Sequence, residues 1–288
     1  MEALRISLDA LGDAAWQVLS TRRAAVLPRM PGAAESLLVW GVCRRLRVPV
    51  VWIGDGAGTL ELRHRDLRTL CPPDMDVERD LLYFPEWESL PTASCDADPD
   101  IAGARLSTLM SLQQRGGNHA DGRAWVLATC VQGMMQCTVA PGALTGLSLQ
   151  IKRGGEQDPG RLVDKLVSVG YEPMPQVDQK GQFAVKGGIV DVWTPSEAWP
   201  CRIEFLAAEI ESIRTFDPLT QRSREMVDSV VLLPGSEGHV TQSDDRDAAE
   251  TALLDYLPPN SVFVWSDGDS IDEHAAVFEE ALREQGAQ

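Results

Sequence analysis

"RMPGAAESLLVWG", residues 29–41, decides how the first half of this chain is read. A short apolar stretch, "AAVLP" (24–28), leads in, and one with helical spacing, "AESLLVWGVCRRL" (34–46), leads out. Strand, loop and helix in that order are the setting of the phosphate-binding loop G-x-x-x-x-G-K-[ST]. Its glycines let backbone N–H groups approach phosphate, and its lysine supplies charge. Here Arg29, Ala34 and Glu35 stand where the motif needs glycine, glycine and lysine, with Gly32 inside the loop and Ser36 at the hydroxyl position. A carboxylate about 5 Å from a phosphate charge is repelled by roughly 3 kcal/mol at an effective dielectric near 20. With the lysine's attraction also gone, nucleotide affinity falls by about three to four powers of ten. The stretch reads as a helix start with Glu35 near the positive end of the helix dipole, holding no ATP and no other cofactor.

Outward from it, strand-like and helix-like segments alternate. "VPVVWI" (48–53), "DLLYF" (80–84) and "AWVLAT" (124–129) are short apolar runs, separated by helix candidates at 58–70 and 98–114. Such alternation predicts a parallel sheet covered on both faces. From about 148 the pattern changes. "DPGRLVDKLVSVGY" predicts a helix with Leu162, Leu166 and Val169 inward and Gly170 as its stop. Strand-like pieces follow, with a hairpin expected around Lys180-Gly181 and a bulge or tight bend at Gly187-Gly188. The tail offers one more strand, "SVFVW" (261–265), and an acidic helix (270–284), which would rejoin the first sheet. The residues thus divide into 1–147, 148–233 and 234–288, an α/β domain interrupted by a small α+β one.

Charge narrows the function. The net charge is −17, against the clustered Lys and Arg that phosphate neutralisation requires. Residues 234–288 hold 13 acidic and only 2 basic side chains, while 148–233 hold 13 and 10. Six dispersed cysteines (Cys43, Cys71, Cys95, Cys130, Cys137, Cys201) without a C-x-x-C pair argue against structural zinc and fit reduced thiols in a cytoplasm. The start, "MEALRISLDALGDAAWQVL", carries acids where a signal peptide would be basic, and Leu4, Leu8, Leu11 and Leu19 suit an amphipathic helix. No apolar run is long enough to span a bilayer. Asp272-Glu273-His274 looks superficially like the D-E-x-H of a helicase magnesium site. Polar "SDGDS" separates it from the nearest strand, so it reads as a helix start, and no catalytic residue is assigned.

At "GQFAVKGGIVDVW…PCRIEFLAAEIESIRTFDPLTQRS" the chain resembles the N-terminal part of bacterial transcription-repair coupling factors. "LYFPEWESLPTASCDADPDIAGARLSTLMSL", "AWVLATCVQGMMQ" and "LVSVGYEPMPQVDQKGQFAVKGG" are similar to other parts of that region, and "FDPLTQRS" is the most specific. The resemblance implies a UvrB-like module for nucleotide excision repair. Its fold would be a helicase-like, degenerate P-loop parallel-sheet domain with an inserted α+β UvrA-binding domain and a return segment. It would be a protein-interaction module rather than an enzyme, within a family of ATP-dependent DNA translocases. The family's UvrA-gripping positions carry over to Lys186, Arg202 and Leu206, with Phe205 beside them. Lys186 replaces an arginine and loses its planar fork, and Leu206 replaces an aromatic. In a longer chain the C-terminal motor domains of the same polypeptide would be partners, and C-terminal domains would cover this surface until the motor engages RNA polymerase. Without them the surface is expected to stand open. The rival expectation is an ATP-dependent UvrB-like helicase module acting on damaged DNA. Against it, "FPEWESLPTASCDADPD" lacks the tyrosines of a base-stacking hairpin.

Overall fold

In the computed structural model, residues 30, 32–87, 98–116, 123–235 and 250–286 are described. The helix expected over 1–19, the strand at 24–28, Arg29 and Cys95 lie outside them. The chain divides into two compact units: Met1–Leu90, Gln114–Gln136 and Leu257–Gln288 form one, Pro91–Gln113 and Cys137–Tyr256 the other.

The first unit is built on four parallel strands. These are β1 (Val50–Gly54), β2 (Leu81–Phe84), β3 (Val126–Cys130) and β14 (Val262–Trp265), in the order β14-β1-β3-β2. Every residue of "VVWIG" and "VLATC" is buried, as a parallel sheet covered on both faces demands. One face is covered by helices α1 (Gly32–Leu46) and α2 (Ala57–Thr69). Leu38, Val39, Val42, Leu60 and Leu67 pack there on Val50, Trp52, Val126 and Ala128. Trp40 buries its ring in this layer because its indole N–H reaches the Leu67 carbonyl at 3.0 Å. Strand β14 does return to the first sheet, pairing Val262 with Val50 and Trp265 with Ile53. Helix α8 (Gly268–Gly286) follows it.

The second unit contains a six-stranded sheet. Its strands are β6 (Glu172–Pro173), β7 (Gln182–Lys186), β8 (Ile189–Val192), β9 (Cys201–Leu206), β10 (Glu209–Phe216) and β11 (Ser223–Met226), adjacent in that order. Helix α7 (Pro159–Ser168) starts at Asp158, whose carboxylate accepts the Arg161 N–H, and ends before Gly170 at φ +87°. Its Leu162 and Leu166 face Phe183, Val190, Val192, Ile203 and Ile213, which makes a single core on one side of the sheet. The buried Tyr171 hydroxyl donates to the Leu233 carbonyl at 2.6 Å.

One expectation is corrected. Lys180-Gly181 is a turn, with Gly181 at φ +79°, but the strands flanking it, β6 and β7, run parallel. The hairpin lies at Gly187-Gly188, where Lys186 pairs with Ile189 across a two-residue loop. Gly187, at φ +61°, is the residue that permits this tight bend.

Helix α4 (Pro99–Gly116) packs so closely that a Cβ on Gly103 would stand 2.1 Å from the Pro195 carbonyl oxygen. Gly103→Ala is therefore expected to destabilise the protein by about 2 kcal/mol. Urea denaturation of the two proteins checks this.

Candidate functional site

Two places deserve comparison: the carboxyl edge of the parallel sheet, where such folds bind ligands, and the face of the six-stranded sheet away from α7. At the first, Glu35 lies in the opening turn of α1 and is 7% exposed. It is not a free carboxylate. Oε2 is 3.0 Å from Arg63 Nη2 on α2 and accepts the Ser266 hydroxyl at 3.0 Å, while Oε1 accepts the Trp52 indole N–H at 3.0 Å. Arg63 also donates to the Gly32 carbonyl, pairs with Asp66 at 3.2 Å, and lies 5.6 Å from the Trp52 ring centroid. The repulsion expected of Glu35 is thus neutralised internally. What replaces it is occupancy, because the carboxylate and guanidinium satisfy each other at the start of the helix.

The same thing recurs along the edge. Glu86, just past β2, accepts the Ala57 N–H at the start of α2 at 3.1 Å and the Cys130 thiol at 3.0 Å. Asp55, just past β1, accepts the Ser270 hydroxyl at 2.7 Å from α8. Internal carboxylates therefore sit where a parallel sheet of this kind would offer a phosphate its N–H groups. Asp272, Glu273 and His274 lie within α8, the two acids exposed and His274 Nδ1 donating to the Ser270 carbonyl at 2.8 Å. Among the described residues no cluster of His, Cys, Asp or Glu could hold a metal. Burial pushes the Cys43 and Cys201 thiols up to about 12, which makes them packing groups rather than nucleophiles. No helix among the described residues is long and apolar enough to cross a membrane.

The second place is the sheet face away from α7. Strand alternation puts Lys186, Ile189, Glu204 and Ser212 in one cross-strand row, and Ala184, Asp191, Arg202, Arg214 and Met226 in the next. Leu206 lies beyond them at the end of β9, 66% exposed, beside a hollow lined by Arg153, Gly154, Glu209, Ile210 and Glu211. Lys186 is exposed. Phe205 points the other way and packs, half-buried, against the core under α7. Arg202 is neither free nor idle. Its Nε and Nη2 grip the two oxygens of Asp191 at 2.7 and 2.8 Å, and its guanidinium lies 4.7 Å from the Phe216 ring centroid. Those hydrogen bonds hold Arg202 above its usual pKa.

Reading the sequence alone missed every partner of Glu35, because Trp52, Arg63 and Ser266 lie 17 to 231 positions away. Asp191 was legible. An acid inside the apolar run "GGIVDVW" needs a cation across the ladder, and Arg202 is directly opposite.

Residues 149–237 match the family described as the UvrB interaction domain. They take in β7 to β11, and so the whole face just described. Over 214 residues the chain is 31% identical to the transcription-repair-coupling factor of Escherichia coli, covering 74% of this chain and 17% of that protein. The Haemophilus influenzae factor is 33% identical over 168 residues, covering 58% of this chain and 14% of its own length. The Bacillus subtilis factor is 26% identical over 212 residues, 74% of this chain and 17% of that one. The chain therefore spans less than a fifth of the length of these relatives, and within it lies a UvrB-like module similar to theirs.

Asp191 is 2% exposed, so removing its counter-ion strands a buried carboxylate. Arg202→Ala is expected to destabilise the protein by about 3 to 5 kcal/mol, while Asp191→Leu together with Arg202→Met recovers most of that. Chemical denaturation of the three variants measures both effects.

Proposed function

We propose that this chain is a non-catalytic docking module that recruits a UvrA-like protein in nucleotide excision repair through residues 148–233. In this reading residues 1–147 and 234–288 form a helicase-like domain whose nucleotide loop is degenerate. The observation that carries it is the exposed end of that sheet face within the UvrB interaction domain, where Lys186 and Leu206 reach solvent. Leu206 offers apolar area, Lys186 a point charge, and Arg202, paired with Asp191 on the neighbouring strand, braces the sheet beside them. Phe205 contributes from below, through its packing. The self-satisfied carboxyl edge supports the other half of the reading. A phosphate arriving at Glu35 has to break the Arg63, Trp52 and Ser266 contacts before making any of its own.

Two measurements test this. Leu206→Glu is expected to weaken binding to UvrA at least tenfold and Lys186→Glu several-fold, both with unchanged folding. Equal affinity for wild type and both variants overturns the docking role. Titration with ATP is expected to give no binding at micromolar concentration. Micromolar binding that Glu35→Gln alters would instead favour an ATP-dependent module acting on DNA.

A further inference from the structure

The turn joining β10 to β11, "DPLTQRS" (217–223), lies at the sheet edge opposite Lys186 and Leu206. It is a rigid object. The Asp217 carboxylate accepts the N–H groups of Leu219 and Thr220 at 2.9 and 3.0 Å. The Asp217 N–H donates to the Arg222 carbonyl at 2.9 Å, the Gln221 N–H donates to the Asp217 carbonyl at 2.7 Å, and the Gln221 side chain donates to the Pro218 carbonyl at 2.8 Å. Gln221 takes φ +59°, a conformation a non-glycine residue holds only when its surroundings enforce it. All this order presents one leucine to water: Leu219 is 92% exposed.

Its neighbours are cationic and aromatic. Phe216 N–H donates to the Pro200 carbonyl at 3.0 Å, which brings Trp199 to the turn, and the Arg224 guanidinium lies 3.9 Å from the Trp199 ring centroid. Arg222 and Arg224 are exposed, and neither makes a salt bridge among the described residues. In a chain of net charge −17, an edge that carries two exposed arginines without a salt bridge, beside an exposed leucine and a 37% exposed tryptophan, suits an acidic protein surface with a pocket for one apolar side chain. Trp and Arg are the residue types that most often dominate binding energy, and a prefolded turn loses little entropy on docking.

We infer that Leu219, Arg222, Arg224 and Trp199 form a second contact point for the same UvrA-like partner that docks on Lys186 and Leu206, through an acidic patch on that partner, an inference that rests on the docking role proposed above. The dimensions allow it. Cys201 to Leu206 spans roughly 17 Å along β9, and one partner's share of an ordinary interface is a patch about 30 Å across. A single footprint covers both edges.

The test measures affinity of the full chain for UvrA as a function of salt, with Leu219→Asp, Arg222→Glu, Arg224→Glu and Leu206→Glu. Leu219→Asp is expected to weaken binding about tenfold, and each arginine reversal three- to tenfold, more at low salt than at high. Urea curves of the turn variants should overlay the wild type, since Leu219 and Arg222 touch no core. Unchanged affinity for the turn variants, with binding lost in Leu206→Glu, overturns the second contact and leaves the docking role standing. No binding by wild type overturns both.

Discussion

The ion pair between Glu35 and Arg63 is the constraint around which the first unit is organised. Two charges taken out of water are tolerable only if each finds its counterpart and the remaining lone pairs are satisfied. Here the carboxylate has three partners from three different segments: the guanidinium from α2, the indole of β1, and the hydroxyl just past β14. The same contacts that make the pair affordable tie the sheet and its helices together at one point. A nucleotide competing for that point would compete with the fold itself.

Sequence chemistry singled out Glu35 but not its surroundings. Reading Glu35 as a bare charge gave repulsion; the structure gives a neutralised pair. The second unit repeats the theme, since Arg202, an obvious candidate for a partner's carboxylate, is largely spent on Asp191. In both cases the residue that looks available in one dimension is bound in three.

What was legible follows from range. Strands β1, β2, β3 and β14 announced themselves as apolar runs, and α7 by its Asp158 cap, its Leu162 and Leu166 stripe and its Gly170 stop, all of which are local signals. The hairpin was misplaced because Lys180-Gly181 and Gly187-Gly188 carry equally good turn chemistry; which one reverses the chain depends on strand pairing, a non-local matter. Strand alternation puts Lys186 and Leu206 on the face away from α7 and Phe205 on the core face, a separation the sequence reading did not make when it grouped the three together. The buried partners of Glu35 had no signal within reach of any sequence window.

The pairing of β14 with β1 sets an order of events. Val50 and Val262 are neighbours in the sheet yet stand more than two hundred positions apart in the chain. On a ribosome β1 emerges early and waits with one flank unpaired, while the antiparallel sheet, whose strands follow one another closely, can assemble first. The sheet whose first strand is made earlier is thus the later one to close, and an exposed strand flank during that wait is a natural place for a chaperone to hold.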